Sequence, residues 1–244
     1  MIQVDGYCKL YGDQLAVSDL SFTVGAGEIL GLVGPNGAGK TTTLRAIAGI
    51  LSPSKGSLSV AGFDLAKQPI EAKKRLAMLP DDPSLFESLT AWEHLEFTAH
   101  VYDVADWQPK ASELVARLEL TDHLDKMADE LSHGMRQKVA VACALLHDPV
   151  ALLLDEPLTG LDPRGIRTLF SALAERARAG AAVILSTHLL QEIEDFCTKF
   201  LILRTGKRLF YGSKEEIRAE LATLKADASL EEIFFAATEG RQSP

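Results

Sequence analysis

An apolar run, Ile29-Leu30-Gly31-Leu32-Val33, leads directly into Gly34-Pro35-Asn36-Gly37-Ala38-Gly39-Lys40-Thr41-Thr42. The second segment fits G-x-x-x-x-G-K-[ST]. At average composition that pattern arises by chance in roughly 1% of chains of this length. Gly34, Gly37 and Gly39 let backbone N–H groups turn inward around phosphate oxygens. Lys40 adds a point charge for the terminal phosphates, and the Thr41 hydroxyl is placed to reach Mg²⁺. Asn36 and Thr42 belong to the same loop and helix start. Such a loop needs a buried strand before it and a helix after it. The helix is expected over Thr41 to Ile50.

The same alternation recurs downstream. Val150 to Leu154 and Ala181 to Leu185 are apolar, strand-sized runs, and Arg164 to Ala179 has helical character between them. Strands apolar on both faces, alternating with helices, indicate an α/β fold with a mostly parallel core sheet. With the phosphate loop, this is the P-loop NTPase class. Shorter strands are expected at Ile2 to Tyr11, Ala16 to Val24 and Ser57 to Val60, forming an N-terminal antiparallel β subdomain. Residues 84–148 form an inserted α-helical subdomain. Within it, Thr90-Ala91-Trp92-Glu93 matches a capping box, with Trp92, Leu95, Ala99 and Tyr102 following on one face. A hairpin is expected from Phe200 to Arg204 and Lys207 to Tyr211, turning at Thr205-Gly206. One domain over 1–236 is the result, with 206–236 holding the second hairpin strand and terminal helices, and 237–244 a polar tail.

Three further groups carry chemistry. Asp155 and Glu156 end an apolar strand, where an unpaired carboxylate is costly and a cation is the expected partner. In P-loop enzymes an Asp here holds Mg²⁺, and Glu156 could polarise an attacking water. The bland alternative is a solvated pair opening a loop before Pro157. His188 follows the strand Ala181 to Leu185 and could orient a γ-phosphate; a lone His after a strand is more often a cap or core residue. Ligands of open α/β sheets sit at the carboxyl ends of strands, and Lys40, Asp155 and His188 all follow such ends. Ser132 and Gly134 open a helix running to Leu146 and make a second anion site, or a plain Ser N-cap.

The chain of 244 residues carries 25 Lys and Arg against 34 Asp and Glu, a net charge of −9. That balance argues against nucleic acid as a partner of the whole surface. No apolar run reaches the roughly 20 residues that span a bilayer. Residues 1–10 lack the pattern of a signal peptide, so a cytoplasmic protein is expected. Cys8, Cys143 and Cys197 lie far apart and read as small core residues in a reducing compartment.

Taken in order, these residues resemble the ATP-binding cassette (ABC) family. The marks are the Walker A loop, the Ser-x-Gly signature at Ser132 and Gly134, the Walker B strand ending in Asp155-Glu156, then Gly160-Leu161-Asp162 and His188. The likeness extends from about residue 2 to 236. It implies ATP and Mg²⁺ as cofactors, with Glu156 as general base and His188 orienting the γ-phosphate. Thr41 and Asp155 would hold the metal. Tyr11 would stack on adenine, or be an ordinary strand tyrosine. Ser132 and Gly134 would contact the γ-phosphate bound by an opposing subunit, and Asp162 would sit at that interface.

Two motifs depart from the family pattern. The usual signature is Leu-Ser-Gly-Gly-Gln; here His133 and Met135 replace a Gly and the Gln. Asp81 stands where the family has a Gln touching Mg²⁺ and water; an acid can still ligate a metal. An acid there, and Ser229 to Phe234 near the end, resemble exporter-type cassettes whose membrane subunit is separately encoded. The implied partners are a second ABC ATPase subunit, a homodimer favoured over a heterodimer, and an integral membrane permease. The implied location is peripheral, on the cytoplasmic face of the cell membrane. Pro83, Leu85, Phe86 and Leu89 are candidates for the permease-facing surface, or for subdomain core. The rival function is a non-transport ABC ATPase, such as a cluster-assembly cassette.

Overall fold

A computed structural model describes residues 1–188 and 190–221. The expectations for terminal helices through 236, for Ser229 to Phe234 and for the tail 237–244 lie outside the described residues.

The chain opens with β1 (Ile2–Tyr11), β2 (Gln14–Val24) and β3 (Ile29–Val33), then α1 (Lys40–Ile47). β4 (Lys55–Val60), β5 (Phe63–Asp64), α2 (Pro69–Lys73) and β6 (Leu76–Leu79) follow. The helical segment holds α3 (Ala91–Val101), α4 (Trp107–Arg117) and α5 (His133–Leu146). β7 (Ala151–Asp155), α6 (Pro163–Arg178), β8 (Ala182–Thr187) and α7 (Leu190–Ile193) return to the α/β pattern. β9 (Lys199–Arg204), β10 (Lys207–Gly212) and α8 (Lys214–Leu221) complete the described chain.

The strands form two sheets. One has the order β2-β1-β4-β5 and is antiparallel; the other runs β10-β9-β3-β8-β7-β6. In the larger sheet every pairing is parallel except β10 with β9.

Why the core strands are apolar throughout is visible in their side-chain alternation. Ile29, Leu152, Leu154, Val183, Leu185, Phe200 and Ile202 point into the core shared with α3, α5 and α6. Leu30, Leu32, Leu153, Ile184, Leu201 and Leu203 point into a second core, shared with Leu44 and Ile47 of α1 and with β1 and β2. A period of 2 with both faces covered confines polar residues to the strand ends, as at Asp155, Ser186 and Thr187.

Several boundaries differ from the sequence expectation. α1 stops at Ile47 rather than Ile50, because Gly49 takes φ 67° and Ile50 N–H folds back on Arg45 O at 2.9 Å. That is a left-handed helix stop. β6, with four residues, is too short to stand out by periodicity and was not expected. Residues 84–90 and 118–132 are mostly loop and short 3₁₀ turns rather than helix. The Thr90–Glu93 capping box is formed at the start of α3. Leu95 and Ala99 of its apolar face are buried, and Tyr102 stacks on His147 at 3.7 Å. The three cysteines are free and half-buried.

Candidate functional site

Strand register assembles the site. β3 pairs β8 with Val33 opposite Thr187, and β7 pairs β8 with Asp155 opposite Ser186. The loop after Val33, the carboxylates of Asp155-Glu156 and the residue after Thr187 therefore emerge at one sheet edge. They do so at the carboxyl ends of adjacent parallel strands, where α/β sheets bind ligands.

The loop over Gly34–Gly39 ends at the N-terminus of α1, whose unpaired N–H groups face a cavity of about 390 Å³. Asn36, Gly37, Gly39, Lys40, Thr41, Thr42, Asp81 and Glu156 line it. Gly34 does not, but its carbonyl accepts from Lys40 Nζ at 2.7 Å. Gln14, Leu15, Ala16 and Thr205 also line the cavity. They come from β2 and the β9–β10 turn, and no local motif marks them.

Lys40 is 6% exposed, and its Nζ lies 3.2 Å from Glu156 Oε1. Glu156 Oε2 meets His188 Nδ1 at 3.0 Å. Lys40, Glu156 and His188 thus form one chain of polar contacts. Glu156 takes φ 45°, an uncommon conformation for a residue with a side chain. Its backbone N–H is held by Ser186 Oγ at 3.1 Å. The same hydroxyl donates to Asp155 Oδ1 at 2.6 Å, beneath a surface that leaves Asp155 only 2% exposed. A lone Ser at a strand end carries no signal of this double role in the sequence.

Asp81 faces the same carboxylates. Burial, then the charges of Asp155 and Glu156, push its carboxyl above the usual range, while His133 opposes the shift. Thr41, Asp155 and Asp81 offer hard oxygen donors of the kind Mg²⁺ takes. Among the described residues no cluster of three His, Cys, Asp or Glu could hold a metal alone. This donor set suits a cation that completes its shell with phosphate oxygens.

The remaining predicted residues lie elsewhere. Tyr11 ends β1, 48% exposed and outside the cavity lining, in register with Gln14. Ser132 caps α5, its hydroxyl accepting from Met135 N–H at 3.3 Å. Gly134 lies in the first turn of α5, and neither residue lines the Lys40 cavity. Asp162 caps α6, accepting from Gly165 N–H at 2.7 Å.

Known proteins resemble this chain in sequence and in fold. The ABC transporter family pattern matches residues 17–159. The ABC-type transporter ATP-binding protein EcsA of Bacillus subtilis is 35% identical over 91% of this chain and 90% of its own. Nod factor export ATP-binding protein I of Cupriavidus metallidurans is 34% identical over 89% of this chain and 72% of its own. The solved ATP-binding subunit of an ABC transporter superposes with a TM-score of 0.93, at 34% identity, covering 98% of this chain and 99% of that one. The fold is shared with the dimeric cassette MJ0796 solved with ADP and Pi, at TM-score 0.81 and 22% identity, over 87% of this chain and 98% of that one. The family pattern covers more than half of the chain, and relatives of more than 30% identity match it nearly end to end: the chain belongs to the ABC transporter family, as an ATP-binding subunit.

Proposed function

We propose that this chain binds ATP with Mg²⁺ in the Lys40 cavity and hydrolyses it as half of a head-to-tail dimer, powering export through a separate membrane permease. The observation that carries the reading is the convergence of Lys40, Asp155, Glu156 and His188 on one sheet edge.

The loop N–H groups and Lys40 hold the phosphates. Thr41 and Asp155, with Asp81 across the cavity, would hold Mg²⁺, which when bound neutralises charge building on the phosphates. Glu156 accepts a proton from the attacking water. His188 holds Glu156 Oε2 and orients the γ-phosphate. Tyr11, at the edge of the β1–β2 hairpin, packs on the base. Ser132 and Gly134 point to the dimer: they sit at a helix N-terminus suited to an anion, yet outside their own chain's cavity. A second copy would bring them over the first copy's nucleotide, and Asp162 would lie at that junction.

No helix among the described residues is long and apolar enough to cross a membrane. Attachment to the cytoplasmic face would come through the permease. An apolar groove of about 290 Å³ lies between β6, α3 and α5. Phe86 stands 54% exposed on its wall, with its ring 5.3 Å from Phe97. Pro83 is buried, and Leu85 and Leu89 are half-buried. Phe86 is therefore the residue of this set offered outward. Exposed Asp81, Asp82 and Glu87 flank it, which suits a permease segment with an apolar face and basic flanks.

The deciding experiment purifies the chain from native membranes and identifies what accompanies it. An integral membrane polypeptide supports the reading. A soluble assembly scaffold in its place would favour the non-transport alternative.

A further inference from the structure

His133 occupies the signature position where a Gly is usual, and the structure shows where its ring goes. It packs on Gly160, in the turn between β7 and α6. A Cβ on Gly160 would be driven into His133 Cδ2 and would lie 2.9 Å from Nε2. The next residue approaches from the same side: a Cβ on Gly134 would lie 2.6 Å from Gly160 O. One turn further along α5, fully buried Gln137 donates from Nε2 to Pro157 O at 3.3 Å. The start of α5 and the segment 157–162 thus interlock at three points.

His133 Nε2 is buried without a hydrogen-bond partner. The fit at Gly160 is therefore one of shape, with no hydrogen bond from the ring nitrogen that faces it. The ring stands between the signature turn and the Gly160 turn.

We propose that His133 is a positioning residue that keys the signature turn to the Gly160-Leu161-Asp162 turn of its own subunit. The two elements then meet the opposing subunit's nucleotide as one rigid unit. The inference rests on the dimer reading above. Its physical basis is close packing: an interface without free volume moves as a block, whereas a void lets each side shift separately. With Gly at 133 the space over Gly160 would be empty. In this chain the ring fills it, and residue 160 must lack a side chain to let it in. Gly160 also takes φ 77°, which a side chain tolerates poorly.

The test uses the full chain with His133→Ala, His133→Phe and Gly160→Ala, each alone and in a Glu156→Gln background. Binding of a fluorescent ATP analogue should stay within about twofold for His133→Ala. Its kcat, and the ATP-driven dimerisation of its Glu156→Gln form, should fall about tenfold. His133→Phe keeps a flat ring and loses the nitrogens; it should retain most of both. Gly160→Ala should be damaging with His133 present and at least about threefold less so beside His133→Ala, since backbone strain is common to both and the collision is not. Unchanged kcat and dimerisation in His133→Ala would overturn the proposal. So would equal impairment in His133→Phe, which would assign the role to a nitrogen. A fall in nucleotide affinity matching the fall in kcat would reduce His133 to general structure. If Glu156→Gln with His133 intact forms no ATP-dependent dimer, the dimer reading itself fails and this inference falls with it.

Discussion

Lys40 Nζ lies 3.2 Å from Glu156 Oε1 and 2.7 Å from Gly34 O. The cation placed for phosphates is thus already paired with the carboxylate placed for water. The two partners are 6% and 16% exposed, so the pair is poorly screened. In the proposed reading, an incoming phosphate would compete for Lys40 and leave Glu156 with His188.

Glu156→Gln removes the proposed proton acceptor and the negative charge that faces Lys40. Nucleotide binding should be retained or tighten, turnover should fall about 10²-fold or more, and an ATP-bound dimer should accumulate. Steady-state phosphate release and light scattering measure the two effects. Near-normal turnover would take Glu156 out of the role.

Ser186→Ala should destabilise the fold by about 1–3 kcal/mol, because it strips one partner from buried Asp155 and one from Glu156 N–H. In a domain of this size each kcal/mol lowers the melting midpoint by about 2–4 °C. Differential scanning calorimetry reads the shift. ATPase activity below the transition should also fall, since the Asp155 carboxylate and the Glu156 backbone N–H both lose a partner that positions them. Full activity with a lowered midpoint would limit Ser186 to stability.

Phe86→Asp places a charge on the exposed wall of the β6–α3–α5 groove. An exposed position costs little, within about 0.5 kcal/mol. Nucleotide affinity should be unchanged, while recovery of the membrane polypeptide in a pull-down should be lost. Survival of the complex would move the docking surface elsewhere.

His147 stacks on Tyr102 and donates from Nε2 to Leu76 O at 3.3 Å. Burial lowers its affinity for a proton from the ordinary 6.5, helped by nearby Lys110. The folded state therefore binds fewer protons than the unfolded state. Stability should hold above pH 6.5 and decline as the pH falls below it. Urea unfolding between pH 7.5 and 5.5 should show this slope, and His147→Phe, which keeps the stacked ring, should flatten it. An unchanged slope would assign the pH dependence to other groups.

Much of this was legible in the residues themselves. Loop chemistry is local: Gly34 to Thr42 states its function because backbone conformation and side-chain charge are set within nine residues. The strand Ile29–Val33 and the Thr90–Glu93 cap are local in the same sense. Asp155, Glu156 and His188 could be named as candidates because each follows a strand. Strand order could not be read. Only the sequence β3-β8-β7 across the sheet, with Val33 opposite Thr187 and Asp155 opposite Ser186, turns three separate strand ends into one site. The pairing of Lys40 with Glu156, the double use of the Ser186 hydroxyl and the seat of His133 on Gly160 are likewise tertiary. Each joins residues 27 or more positions apart, held by packing on both faces of the sheet. Hydrophobic periodicity says which side of a strand is buried; it carries no information about which strand lies beside it.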